Sequence, residues 1–364
     1  MARTPAGYDP DRRRERSRTY DAQPSPSFAA PDKSQGQLAK PSPNGLIEVA
    51  KRKGIESTLF ISESAYVFLD KLLPSFKLDH TERLSDYAKG GVWGYGADQS
   101  TAAPMVDHAL DWLARRGDER FFLWLFNFDV HNWRELNSEM VQGAAQKFAV
   151  PEEGEWHFRY RVAARNLDEH FGRLIHGLKD LGLADRTVVL FVSDHGEALG
   201  YRDYWVHSIF LWDSLLRVPL VLHVPGMDPK TIARDVSLVD VAPTLARFMD
   251  PDVPIGTYHG EDLLGALTTR KHERRLPILF ASAADQQLSK VGLLEGRWKL
   301  VMPIDWSEPE LYDLRAKDPD EIEQATQQPA TTLRLTSTLL RSPFFMTAYD
   351  KIREEEEEER GEGE

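Results

Sequence analysis

Two hydrophobic runs stand out along the chain, Phe121 to Phe128 (FFLWLFNF) and Val188 to Val192 (VVLFV), and each stops abruptly in polar residues. Length and β-branched or aromatic content predict strands, with the first run central in its sheet and the second buried on both faces. Between them, Trp156 to Leu183 carries Val162, Leu167, Phe171, Leu174, Ile175 and Leu178 at helical spacing, which predicts one long amphipathic helix. Strand, helix and strand in that order predict a right-handed crossover with the two strands parallel.

The flanking pattern extends this alternation. Leu46, Ile47, Val49 and Ala50 predict a helix that stops at Gly54, and Thr58 to Ile61 a short strand. Lys77 to Gly96 is mixed and turn-rich, and Ala102 to Arg116 is helical through Met105, Ala109, Leu110, Trp112 and Leu113. After the second run come a helix over Ser208 to Leu216, a strand in RVPLVLHVPG closed by Pro225 and Gly226, and a helix over Val239 to Phe248. Beyond about residue 268, Lys290 to Leu294, Arg297 to Met302 and Glu310 to Leu314 alternate as in an antiparallel sheet, and Gln328 to Leu340 is a helix that would cover it. The predicted class is α/β: a mixed, largely parallel sheet flanked by helices, with a small C-terminal antiparallel sheet plus helix. Residues 1–43 read as a flexible leader, 44–267 as the main α/β domain, 268–350 as a C-terminal α+β subdomain and 351–364 as an acidic disordered tail.

Composition narrows the chemistry. The 364 residues include no cysteine, so disulfides and thiolate ligands are excluded and any metal must be held by oxygen and imidazole. A formal charge of −13 argues against nucleic acid as a partner, although Glu354 to Glu359 account for part of it. No segment of the sequence has the length and apolarity of a membrane span, and the first residues lack an apolar signal core. A cytoplasmic location is the default expectation.

The chemistry-bearing residues cluster where the strands stop. Asp129, His131 and Asn132 follow the first run, while Asp194, His195 and Glu197 follow the second around Gly196; His207 lies in the next loop. Polar residues at the carboxyl ends of parallel strands lie where open α/β sheets bind ligands. Convergence of His131, Asp194, His195 and His207 is therefore expected. Asp194 and His195 offer a hard cation one oxygen and one nitrogen, and His131 and His207 would neutralise or protonate an anionic ester and its leaving group. His108, His157, His170, His176, His223, His259 and His272 lack the strand-end context and are expected to be structural or at the surface.

Several blocks then carry a family resemblance. VSDHGEALG, WVHSIFLWDSLLRVPLVLHVPG and SLVDVAPTL look like consecutive signature blocks of the sulfatase family within the alkaline phosphatase superfamily. FFLWLFNFDVHNW resembles that family's strand ending in a substrate-site histidine, and GLLEGRWKLV followed by ELYDL resembles its C-terminal subdomain. The similarity runs from about Asn44 to Leu314. It implies an alkaline phosphatase/sulfatase-like fold and hydrolysis of sulfuric or phosphoric esters, with Asp194 and His195 as metal ligands and His131 and His207 at the ester group and leaving oxygen. The implied cofactor is a divalent ion, calcium first, with manganese, magnesium or zinc as alternatives. Glu197, similar to the acid often found after DHG, is implied to support the ligands from behind.

The chain departs from the family at its start. An apolar strand ending in paired aspartates or Asp-Thr is not found before Asn44, nor is a Cys- or Ser-x-Pro-x-Arg nucleophile block. The main domain is therefore expected to be N-terminally incomplete, and the chain by itself weakly active or inactive. The rival expectation is a non-catalytic sulfatase-like module that binds an anionic ligand or a partner protein. A missing first strand would also leave a sheet position open to self-association or to a partner chain.

Overall fold

The computed structural model describes residues 45–345, except 70–72, 86–99, 135, 137, 208–209, 266–273, 275, 285–286 and 305–306. The expected leader and acidic tail, 1–43 and 351–364, lie outside the described residues. Helix α1 (Leu46–Arg52) leads into strand β1 (Glu56–Ser62), and β2 (His80–Leu84) follows two short helices. Helix α2 (Ala102–Ala114), strand β3 (Phe121–Phe126), helix α3 (Glu155–Asp180) and strand β4 (Val189–Val192) complete the first half. Strand β5 (Leu220–His223) and helix α4 (Val241–Met249) come next. The C-terminal part holds β6 (Ile278–Ala284), β7 (Gln287–Glu295), β8 (Trp298–Pro303), β9 (Glu310–Asp313) and helix α5 (Pro329–Leu340).

Strand β1 organises the parallel sheet. It lies between β2 and β3 in the order β2-β1-β3, parallel to both, with Leu59 opposite Trp124 and Phe60 opposite Leu125. Successive side chains of a strand face opposite ways. Accordingly Leu59 and Ile61 enter one cluster with Ala65 and Leu73, while Phe60 enters the opposite one with Met105, Ala109, Trp112, Leu174 and Leu178 of α2 and α3. Helices α1 and α4 pack on one another through Val49, Ala50, Ala246 and Met249. The parallel sheet, its flanking helices and the C-terminal antiparallel sheet are as the pattern predicts, while β4 and β5 form a separate antiparallel pair among the described residues.

Three local expectations are corrected. Strand β3 is at the edge of its described ladder, not central, and all six of its residues are only half-buried. Strand β4 is not paired in parallel with β3 after the α3 crossover; among the described residues its ladder partner is β5, antiparallel, with Val192 opposite Leu220. Nor is it buried on both faces, since Val192 is 37 % exposed. An apolar run reports burial tendency but not which strand will supply its neighbours. The helix expected over Ser208 to Leu216 shrinks to one turn, Asp213–Leu216, because Trp212 is extended and its ring stacks on Phe210 at 4.0 Å.

The C-terminal sheet runs β6-β7-β8-β9, antiparallel throughout, and buries Val291, Leu293, Leu300 and Leu311 against Leu335 and Leu339 of α5. No helix among the described residues is long and apolar enough to cross a membrane. Lys299 of β8 is 1 % exposed, donates to the Leu211 carbonyl at 3.1 Å and pairs with the buried Asp320. Removing one member of such a pair leaves an uncompensated buried charge. Lys299→Met is expected to lower the unfolding free energy by roughly 3–5 kcal/mol in urea denaturation. Arg217→Ala, which breaks an exposed pair with Asp213, should change it by about 1 kcal/mol or less.

Candidate active site

Strand ends and the loops after them build the site. Ser62, at the end of β1, hydrogen-bonds the Thr101 hydroxyl at 2.7 Å and receives the Phe128 amide at 3.2 Å. Asp129 is buried and accepts the Thr101 amide at 2.9 Å and its hydroxyl at 2.8 Å, as well as the Ala102 amide. A carboxylate at the amino end of α2 satisfies donors that the helix leaves unpaired. Asp129 is thus an anchor that fixes the loop carrying His131. The His131 amide donates to the Phe128 carbonyl, and its ring stacks on Phe128 at 4.1 Å and 13°.

The second loop is shaped by Gly196. A Cβ there would lie 2.0 Å from the Ser214 carbonyl oxygen, and the Gly196 amide donates to the Leu215 carbonyl at 2.8 Å. The glycine allows a close backbone approach to the chain's own Ser214. This pins the turn on the segment leading into β5. His195 Nδ1 hydrogen-bonds the Gly196 carbonyl oxygen at 2.8 Å. His207 Nδ1 lies 3.3 Å from Glu197 Oε2, to which the Trp133 indole N–H also donates at 3.2 Å.

Three imidazoles meet at this rim. The rings of His195 and His207 are 4.0 Å apart and those of His131 and His207 5.0 Å, and one ligand atom from each of the three lies within 4.8 Å of the others. Asp194 stands beside the group and not in it. Its Oδ2 is 3.7 Å from His195 Nε2, and its side chain is 59 % exposed. Burial lowers the basicity of His131, and the neighbouring His207 and His195 lower it further, to a pKa of about 4. Glu197 is opposed by its own burial, yet hydrogen bonds from His207 and Trp133 and the charge of Arg134 hold its carboxyl below the usual range.

Outer contacts fix the surround. Trp133 packs edge-on to Trp156 and Tyr160 of α3, and Arg134 donates to the Trp205 carbonyl at 2.7 Å. Tyr201 donates to Asp318, and Arg202 to the Asp320 carbonyl, so the loop before His207 is tied to the C-terminal part. Leu199, Arg202 and Asp203 all have left-handed backbone, at φ of 48°, 52° and 64°. Such conformations are unusual outside glycine and concentrate where a loop is held by its surroundings. Nothing in the hydrophobic pattern marks Trp133 or Arg134 as part of this site.

The Sulfatase family model matches residues 17–251, well over half of the chain. The chain belongs to the sulfatase family. Among curated sulfatase-family relatives, it is 32 % identical over 214 residues to the choline-sulfatase of Rhizobium meliloti, covering 56 % of this chain and 41 % of that protein. It is 27 % identical over 247 residues to arylsulfatase K of Xenopus laevis, covering 62 % and 45 %. The chain therefore spans less than half the length of these relatives. In fold it resembles the yidJ protein of Bacteroides fragilis, with a TM-score of 0.62, 16 % identity and coverage of 84 % and 77 %. The phosphonate monoester hydrolase of Agrobacterium radiobacter gives 0.59, 19 %, 81 % and 79 %. The sulfatase match begins within the segment expected to be a leader and ends before the C-terminal sheet.

The depressed basicity of His131 predicts an acid-sensitive fold. Unfolding returns it to an ordinary imidazole near pKa 6.5, so below that pH the unfolded chain binds a proton that the folded chain refuses. Its neutral burial is tolerated fully above about pH 6.5, and stability falls as pH drops toward 4. His131→Asn should flatten that part of the stability–pH curve, measured by urea unfolding from pH 7 to pH 4.

Proposed function

We propose that this chain carries the ester-binding part of a sulfatase-type site that acts on sulfuric or phosphoric esters. Family membership supports the reaction class, and the meeting of three imidazoles on one rim is the observation that carries the reading. His131 and His207 are assigned to the anionic ester group and the leaving oxygen. With Nδ1 3.3 Å from Glu197 Oε2, His207 in its protonated form would pass its Nε2 proton to the departing oxygen while its Nδ1–H stays hydrogen-bonded to the carboxylate. Neutral His131 offers a hydrogen bond without forming a fixed cation in the buried wall.

Sulfatases generally use a divalent ion, which polarises the ester and offsets developing charge. Asp194 and His195 are the described residues proposed to hold it, with calcium first and manganese, magnesium or zinc as alternatives. Calcium takes six to eight oxygens as a rule, whereas this pair supplies one carboxylate and one imidazole. The described residues thus fit only part of a hard-cation shell.

The chain alone is expected to turn over weakly or not at all. The motive is the lack of any cysteine in the sequence and of any serine in a Ser-x-Pro-x-Arg block. The same observation favours a second reading, a non-catalytic module that retains anion or partner binding. Sheet geometry supports a further partner: β3 pairs only with β1 and β4 only with β5 among the described residues, yet Leu123, Leu125 and Val189 pack on one shared core. A strand from a second copy or from a partner chain could pair with one of these open edges.

Nitrophenol release from aryl sulfate and aryl phosphate, with calcium, manganese or zinc added, tests the reading alongside calorimetry with the same esters. Ester binding that His207→Ala weakens at least about tenfold, with little turnover, is the expected result. Robust turnover lost in Asp194→Ala would overturn the expected inactivity and support the metal assignment; no ester binding would sink the site. Sedimentation of the same preparation as a strict monomer would count against strand supply by a second copy.

A further inference from the structure

We propose that His131, His195 and His207 form a binding site for a transition-metal ion of the zinc class; it shares His195 with the Asp194–His195 pair assigned to the family's divalent ion, so the two ions exclude one another. The three rings come from separate loops, after β3, after β4 and before Asp213–Leu216. Their ligand atoms already lie within 4.8 Å of one another. Nitrogens bound to one tetrahedral zinc at 2.0–2.1 Å are about 3.3 Å apart, so closure asks for side-chain shifts on the order of 1 Å.

The atoms behind the rings support this reading. A metal-bound histidine commonly gives its other ring N–H to a carbonyl or carboxylate, which sets the tautomer and aims the remaining nitrogen. His195 Nδ1 is engaged by the Gly196 carbonyl at 2.8 Å, and His207 Nδ1 by the Glu197 carboxylate at 3.3 Å. Each arrangement makes Nε2 the coordinating atom. His131 is held in place by its stack on Phe128.

Ligand chemistry selects the ion. Three imidazoles suit zinc, cobalt, nickel or copper, while calcium and magnesium prefer oxygen. Three protein ligands also leave a fourth tetrahedral position for water or an anion. Metal binding at the three rings would engage His131 and His207, so zinc would compete with an ester at the rim. That competition rests on the ester reading above; metal binding does not.

The test uses the full chain stripped with a chelator and reloaded with Co²⁺ or Zn²⁺. One Co²⁺ per chain with a tetrahedral visible spectrum is expected, displaced by an equivalent of Zn²⁺ and not by about a hundredfold excess of Ca²⁺. X-ray absorption of the zinc-loaded wild-type protein should count three imidazoles. His207→Asn should weaken zinc at least about tenfold, and Asp194→Asn less than about threefold, since Asp194 stands outside the ligand set. No stoichiometric cobalt binding, a zinc shell with one imidazole and mostly oxygen, displacement by Ca²⁺, or equal losses in the two variants would each overturn the proposal. A zinc site that forms in a chain that binds no ester would remove only the competition.

Discussion

A single buried carboxylate holds the rim together. Glu197 is 8 % exposed in its side chain, and one of its oxygens takes hydrogen bonds from both the Trp133 indole and His207 Nδ1. A buried charge is costly unless its hydrogen-bonding capacity is met, so neither partner can leave without exposing Glu197 to that cost. Trp133 follows β3, Glu197 follows β4, and His207 comes from the loop toward β5. One side chain therefore couples the loops of two sheets that share no described ladder. Gly196 makes the same coupling possible from the backbone side, because only a residue without Cβ can approach Ser214 so closely.

The C-terminal sheet acts on the same loop from below. Lys299, on β8, is buried between the Leu211 carbonyl and Asp320, and the other Asp320 oxygen receives the Asp213 amide at 2.7 Å. Tyr201 and Arg202 add contacts to Asp318 and Asp320. The segment bearing His207 is thus held at both ends, by residues 201–202 and 211–213. The left-handed residues Arg202 and Asp203 sit inside this restrained stretch, and Leu199 lies just before it. Packing of a distant sheet is in this way transmitted to the orientation of one imidazole.

Much of this was legible in the chain because burial leaves a pattern. Helix α3 and strands β3 and β4 announce themselves by apolar spacing, and the abrupt stops at Asp129 and Ser193 mark where the rim would be. Neighbour relations were less legible: the run Val188 to Val192 does not say that β5 will pair with it antiparallel. Strand β2, HTERL, has almost no apolar residues because it is an exposed edge, so it was hidden in a turn-rich stretch. Asp129 reads as site chemistry from its place after a strand, yet its oxygens are used on the start of α2. Asp194 and His195 are adjacent in sequence, but one faces solvent and the other joins the imidazoles; adjacency does not fix orientation.

The claim that Glu197 sets the geometry of the rim reduces to the position of one proton. Nitrogen NMR of the imidazole side chains, with His207 assigned by comparison with His207→Asn, distinguishes the two neutral tautomers. The Glu197 contact predicts the proton on Nδ1 and the lone pair on Nε2 in the wild-type chain, with that preference lost in Glu197→Gln. A His207 that carries its proton on Nε2, or whose tautomer is unchanged by Glu197→Gln, would contradict it.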